Sequence, residues 1–424
     1  MFKKISQIWK LPDLRNRVLF VLLMLVIFRI AASVPIPGIH VENLKSFFQG
    51  NQIFGLMNIF SGGGLERFSI VAMGVAPYIT SSIIFQLLVM IIPRLEALSK
   101  EGEFGRQKIN QYTRYLTVPL AVLQGYGLIM LLNQSPRPIL GSLDPLSLIL
   151  MILTLVSGTM FLMWIGELIS EKKIGNGISL LIFAGIVASL PSLLQSLQVL
   201  DASQITNIIA FAAIALITIV VVVYMTEAQR NIPVSYARQQ RGAQMLGTVD
   251  TYLPIRVNQA GVIPIIFAIS IILFPPTIAQ FFMNAKTPFV VQAAQGVISF
   301  FNNTAAYGIM YFLLVIAFTY FYTTIIFKPD QISENLQKQG GFVPGIRPGK
   351  PTADYLQQVV NKIILPGALF LALIAVLPIV VQAATNITAL TIGGTSLLIV
   401  VSVAIETFKQ IDAQLTMRDY EDLI

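Results

Sequence analysis

Ten stretches of this chain run for most of a membrane's thickness with almost no charge, and a stretch of that kind leaves the backbone few choices. In hydrocarbon a peptide N–H or C=O finds no water, so a crossing segment must close its hydrogen bonds within itself as a helix. The runs are Val18–Val34, interrupted only by Arg29, a run within Phe68–Pro93, Tyr115–Asn133, Leu146–Gly166, Ile178–Pro191 and Ile205–Tyr224. Gln259–Pro275 and Ala305–Phe327 follow. Ile363–Ile405 is too long for one helix, and its polar middle, Gln382–Thr388, divides it into spans nine and ten. Ten spans of about 20 residues would use about half of the 424 residues. Charged residues make up only 11% of the chain, against about 25% in a soluble domain. A soluble enzyme, a disordered chain and a coiled coil are excluded on that ground. No cleavable signal peptide is expected ahead of span one, whose basic flank reads as an internal anchor.

Charge placement orients the spans. With the N-terminus inside, 23 of the 28 Lys and Arg residues fall in inner segments. Only Lys45, Arg67, Arg137 and Lys286 fall outside, and Arg29 lies within span one. This asymmetry places both termini in the cytoplasm.

The weakly polar outer loop Pro191–Gln204 divides the chain into residues 1–200, with spans one to five, and residues 201–424, with spans six to ten. An odd number of spans per half forces the second half to insert upside down, as an inverted-repeat architecture requires. Between spans one and two, Ile53–Phe60 is apolar but too short to cross, and Ser61-Gly62-Gly63-Gly64 follows it. Two readings stand: a re-entrant helix sheltered by protein, or a helix lying at the outer interface. Two inner loops, about 225–258 and 328–361, are far longer than the usual helix connection. They carry Arg230, Arg238, Arg241 and Arg256, then Lys328, Lys338, Arg347 and Lys350. Positive-inside bias accounts for the sign but not the length, so a docking surface for an acidic partner is the better reading.

Enzyme chemistry finds no footing in these residues. There is no cysteine and a single histidine, His40, so no metal site, cofactor or thiol nucleophile is expected. Gly349-Lys350 is followed by Pro351 and lacks the upstream glycine of a phosphate loop; Gly175-Asn176-Gly177 follows an inner loop rather than a strand. Asn302-Asn303-Thr304 and Asn386-Ile387-Thr388 match a glycosylation pattern of a length common by chance. Arg29, Glu167 and Glu406 are the few ionisable groups near the spans. Arg29 reads equally as a functional group, as a snorkelling side chain or as the partner of a carboxylate. The polar residues Thr80, Ser81, Ser82, Gln86 and Gln124 suit helix contacts as well as a wet path.

Several motifs then carry a resemblance. Lys100-Glu-Gly-Glu-Phe-Gly-Arg106, Gln111-Tyr-Thr-Arg-Tyr115, Gly158-Thr-Met-Phe-Leu-Met-Trp164 and Ile174-Gly-Asn-Gly-Ile-Ser179 resemble the SecY/Sec61-alpha family of protein-conducting channels. Val257-Asn-Gln-Ala-Gly-Val-Ile-Pro264, Phe342-Val-Pro-Gly-Ile-Arg-Pro-Gly349 and Gly393-Gly-Thr-Ser-Leu-Leu-Ile399 complete the set, in the family's order. The likeness is weakest in Leu190–Gln204 and Pro276–Asn303. It implies an all-α fold of ten transmembrane helices in two inverted five-helix halves, with a re-entrant plug helix and an hourglass pore. The implied constriction is Val75, Ile79, Ile178, Ile182, Ile266 and Ile399, with valine at 75 where the family more usually has isoleucine. The implied plug is Ile53–Arg67, including Phe54, Leu56, Met57, Ile59, Phe60, Gly62 and Gly63. The implied lateral gate, between spans two and seven, includes Thr80, Ser81, Gln86, Asn258 and Phe274. The implied docking residues are Arg238, Arg241, Arg347 and Lys350, facing the ribosome or the motor ATPase SecA. The resemblance further implies SecE as an obligate small subunit, SecG as another, and signal peptides and nascent polypeptides as substrates. The setting it implies is the bilayer of a bacterial cytoplasmic membrane.

The physics is compatible with that picture. An aliphatic ring gates by dewetting and grips no residue type chemically. Pro77 and Pro264 are expected to remove one helix hydrogen bond each beside ring positions, weakening two gate walls. An inverted-repeat transporter for a small solute is the chief alternative, and it calls for a polar pocket at mid-membrane. A lipid-modifying enzyme lacks a catalytic pair.

Overall fold

The computed structural model describes residues 9–37, 39, 43–44, 58, 61, 63–133, 139–140, 144–198, 205–236, 249–283, 287–385 and 393–421. Thirteen helices and three short strands occupy them. The helices are α1 Pro12–Ser33, α2 Ala76–Ile91, α3 Pro93–Lys100, α4 Glu103–Asn133, α5 Pro145–Glu171, α6 Gly177–Gln198 and α7 Ile205–Glu227. After strands β1 Gln229–Tyr236 and β2 Val249–Arg256 come α8 Ile263–Phe282, α9 Pro288–Asn302, α10 Thr304–Ile326 and α11 Pro329–Lys338. Strand β3 Gly341–Phe342 precedes α12 Lys350–Thr385 and α13 Gly393–Glu421.

Each of the ten apolar runs falls on a helix, and the chain is a multi-pass membrane protein. Among the described residues five helices are long and apolar enough to cross a membrane: α1, α4, α5, α10 and α12. There are six if α2 and α3, bent by 101° at Ile92, count as one span. Gly177–Ser189 in α6, Ala212–Glu227 in α7 and Ile263–Ala279 in α8 are shorter apolar stretches. Residues with exposed apolar side chains, such as Leu22, Leu23, Val26 and Ile30 on α1, or Leu216, Ile217 and Val220 on α7, form the outer surface. In lipid that arrangement costs nothing, because acyl chains are as apolar as leucine.

What then holds the helices together is close approach of backbones at small residues. A Cβ at Gly177, which opens α6, would overlap the Gly166 carbonyl of α5. A Cβ at Gly158 on α5 would overlap the Ile70 carbonyl in the turn segment that leads into α2. One apolar cluster runs through α1, α2, α5, α6, α8, α10, α12 and α13, joined by Val222 of α7 and Phe301 of α9. A second, with Leu65, Phe68, Ile129, Leu132 and Leu155, sits under the segment before α2 and against α4 and α5.

Several expectations need correcting. Pro77 is in the first turn of α2, and Pro264 is the second residue of α8. First-turn amides have no carbonyl partner within the helix anyway, so neither proline removes a bond. Both prolines start helices; they do not weaken them. Span two is a helix of only 16 residues. The rest of its run, from Phe68, is a series of tight turns, with Phe68 at φ +45. Such irregular backbone is tolerated because protein covers it: Phe68, Ser69, Val71, Ala72 and Val75 are all buried. Span five does not stop at Pro191, nor span seven at Pro275, since α6 and α8 continue through them to Gln198 and Phe282.

The inner loops hold the other departure. β1 pairs antiparallel with β2 and, at Ser235 and Tyr236, with Phe342 and Gly341 of β3. The two long loops are therefore one body, with Ile232, Val234, Ile255, Leu336, Val343, Leu356 and Val360 as its own core. The alternation Asn231-Ile232-Pro233-Val234-Ser235 was the available sequence signal for a strand.

Candidate pore and gate

The six ring positions come from four helices, α2, α6, α8 and α13, two from each half of the chain. Val75, Ile79, Ile182, Ile266 and Ile399 are buried in the larger apolar cluster, and the half-buried Ile178 packs against it. Local chemistry sets each one. Val75 is the N-cap residue of α2, one position before the helix proper. Ile178 and Ile182 sit on the first turns of α6, whose amides are capped twice. Asn176 Oδ1 accepts from the N–H groups of Ile178 and Ser179 at 3.1 and 3.2 Å. Ser170 Oγ accepts from Gly177 N–H at 2.9 Å. The Gly-Asn-Gly motif is thus a cap and a close-approach point for α6, not a phosphate turn. Ile399 is the seventh residue of α13, which packs on α6.

Across the chain's midpoint, α8 packs on α2 and α4. The polar groups of α2 at that seam bond within residues 1–200. Thr80 donates to Ala76 O at 3.0 Å, and Gln124 Nε2 reaches Thr80 Oγ1 at 3.5 Å. Ser81 Oγ donates to Thr113 O on α4 at 2.7 Å, and Gln86 Nε2 donates to Ser82 Oγ at 3.2 Å. Asn258, just before α8, is buried with no partner for its Oδ1 among the described residues. Phe274 is half-buried on α8. Thr80 and Ser81 thus direct their hydroxyl donors into residues 1–200, whereas Gln86 Oε1 is buried with no partner among the described residues.

Of the plug positions, Ile53, Phe54, Leu56, Met57, Ile59, Phe60 and Gly62 lie outside the described residues. Its C-terminal end is described and tightly tied. Gly63 N–H donates to Asn58 O at 2.9 Å, Leu65 N–H to Ser61 Oγ at 2.9 Å, and Glu66 N–H to Asn58 Oδ1 at 3.0 Å. Leu65 is buried in the second cluster, while Arg67 is exposed. Gly63, at φ +79, faces the Arg29 guanidinium, and a Cβ there would sit 3.7 Å from it. Arg29 of span one thus stands beside the glycine turn. The sequence reading took Ser61 only as the head of the glycine run and did not single out Asn58, although both residue types are ordinary turn formers.

Arg238 and Arg241 also lie outside the described residues. Arg347 and Lys350 are exposed. Arg347 stands between Gly345 at φ +82 and Gly349 at φ +93, a conformation that favours glycine. The turn is pinned through backbone: Thr352 Oγ1 donates to Arg347 O at 2.8 Å, and Ser333 Oγ to Gly349 O at 2.6 Å. The Arg347 side chain is displayed by a frame that does not use it.

Residues 69–408 match the SecY family model. The chain is 45% identical over 435 residues to the protein translocase subunit SecY of Halalkalibacterium halodurans, covering 100% of both chains. It is 43% identical over 436 residues to that of Aquifex aeolicus, again covering 100% of both. Among solved structures it is similar to a protein conducting channel at a TM-score of 0.62 and 18% identity, covering 92% of this chain and 90% of the other. Sec61 in the canine ribosome–channel complex from the endoplasmic reticulum follows at a TM-score of 0.56 and 18% identity, with the same coverage. These two likenesses speak to the fold.

Proposed function

The chain belongs to the SecY family, and from that premise we propose that it is the channel subunit of a bacterial protein translocase. It passes unfolded secretory polypeptides across the cytoplasmic membrane and releases transmembrane segments sideways into lipid between α2 and α8. The observation that supports this reading is one apolar cluster shared by four helices, two from each half, in which Val75, Ile79, Ile182, Ile266 and Ile399 are buried and against which Ile178 packs. Aliphatic side chains at such a constriction expel water and block ions when idle, and they yield to an extended chain of any composition. A small-solute transporter would place polar or charged groups there instead.

The ten helices are ten crossings in two inverted halves, 1–200 and 201–424, with both termini in the cytoplasm. The packing of α8 on α2 and α4, and of α13 on α6, supports a body in which the two halves meet directly. Partitioning supplies the energy for sideways release. A segment of about 20 residues gaining roughly 0.4 kcal/mol each prefers lipid by about 8 kcal/mol, and three central charges cost about 9. The channel needs only to expose the segment.

Ile53–Arg67 is the plug, and the hydrogen bonds of Leu65 and Glu66 to Ser61 and Asn58 support a segment anchored at its C-terminal end. The chain itself is not an enzyme, so directional force comes from a partner. The joined loops, with Arg347 and Lys350 displayed and Arg238 and Arg241 nearby in sequence, form the surface for SecA or the ribosome. SecE and SecG complete the membrane complex, and signal peptides and nascent chains are its substrates. The test is reconstitution of the chain with SecE in vesicles. ATP and SecA should drive a secretory precursor into protease-protected space. Uptake of a small solute without any precursor transport would overturn the reading.

A further inference from the structure

The outer connection between α8 and α10 is a helix with three faces rather than two. At about 100° per residue, the α9 residues Val290, Ala294, Ile298 and Phe301 share one face, and Ala294 and Phe301 are buried there. Phe301 belongs to the larger core cluster, so that face is tied to the body of the protein. Gln292, Gln295 and Ser299 form a second, exposed and polar face. Between the two lies a third face, exposed and wholly apolar: Phe289, Ala293, Val297 and Phe300. Phe289 is 78% exposed and Phe300 49%. Water gains nothing from such a stripe, and none of the described residues covers it.

The surroundings decide what does. α9 packs on α8 and α10, both of which expose apolar side chains toward the same end of the molecule: Ile278 and Phe282 on α8, and Ile309 on α10. The stripe continues a surface that already faces acyl chains. Residues 288–302 carry no charge, so nothing in them selects an anionic headgroup. An aromatic-bearing apolar face beside a polar one is the pattern of a helix lying in the interface plane. We propose that α9 is a membrane-surface helix that seats Phe289, Val297 and Phe300 in the neutral outer leaflet, holding the outer end of the gate helix α8 at a fixed depth. This rests on the membrane orientation given above, and one control separates the two.

The chain has no cysteine, so single-cysteine variants can carry a fluorophore cleanly. The variants are F289C, F300C, Q292C and S299C, each in the full chain in phosphatidylcholine vesicles, with L313C on α10 as the control for lipid immersion. F289C tests the stripe without touching the core, should F300C disturb the neighbouring Phe301. Nitroxide on the upper acyl chain should quench labels at 289, 300 and 313, whereas aqueous iodide should quench those at 292 and 299. Added phosphatidylglycerol should leave the pattern unchanged. If the label at 313 is quenched by lipid but those at 289 and 300 by iodide, the stripe faces water and the proposal falls alone. Protection at 289 and 300 from both quenchers would mean that protein covers the stripe, and also overturns it. A label at 313 that lipid does not reach would overturn the orientation itself and the proposal with it.

Discussion

Gly158 on α5 lies so close to the backbone of Ile70 that a Cβ at 158 would overlap the Ile70 carbonyl. That contact seats the irregular turns that deliver Val75 and Ile79 to the junction. A G158A variant should therefore cost about 1–3 kcal/mol through overpacking, because the obstacle is backbone and cannot rotate away. Thermal unfolding of the purified chain in detergent should shift downward, and resting ion leak should rise with it. An unchanged melting point would show that α5 can step aside.

The ring itself offers the next measurement. Ile182 and Ile399 are both buried, on α6 and α13, which pack together. I182S with I399S replaces two dewetting side chains with hydroxyls, so the idle channel should conduct ions in a planar bilayer. Conductance equal to wild type would remove both positions from the barrier.

For the docking turn, R347E should abolish SecA-driven transport and leave the fold intact. The exposed guanidinium takes no part in the bonds from Ser333 and Thr352 that shape the turn. Reversal sets like charges together in any acidic site on a partner. Normal precursor translocation in vesicles would make the residue dispensable.

The seam between α2 and α8 can be locked. With T80C and F274C, a disulfide requires Cα atoms within about 7 Å, which only a closed seam would give. Oxidation should stop translocation, and reduction or a longer crosslinker should restore it. Full transport through the oxidised pair would mean these helices do not part.

Helix existence was legible residue by residue, because hydrocarbon permits little else for a long uncharged run. Helix ends were less so. Pro77 and Pro264 were read as breaks when they are starts, and Pro191 and Pro275 as stops when helices pass through them. A proline's effect depends on whether its amide had a partner to lose, and that depends on where the helix begins. The apolar ring is an expectation carried by family likeness, since burial alone sets its members among ordinary core. The pairing of β1 with β3 joins Tyr236 to Gly341, more than a hundred residues apart, and no local pattern announces such a partner. Gly158 was quoted as part of a motif, but its reason, the Ile70 carbonyl, exists only once α5 is folded against the turns.

The helix that leaves the docking turn at Lys350 does not end until Thr385. At about 1.5 Å per residue, its 36 residues span roughly 54 Å. Its near end is packed into the core of the joined loops, and its far part lies among the helices of the membrane body. A load on the exposed turn at Arg347 needs no relay of loops to reach the membrane body. It travels along one continuous helix, from Leu356 and Val360 at the handle to Leu371 and Ala372 at the working end, with Pro366 between them as the point where the helix can flex.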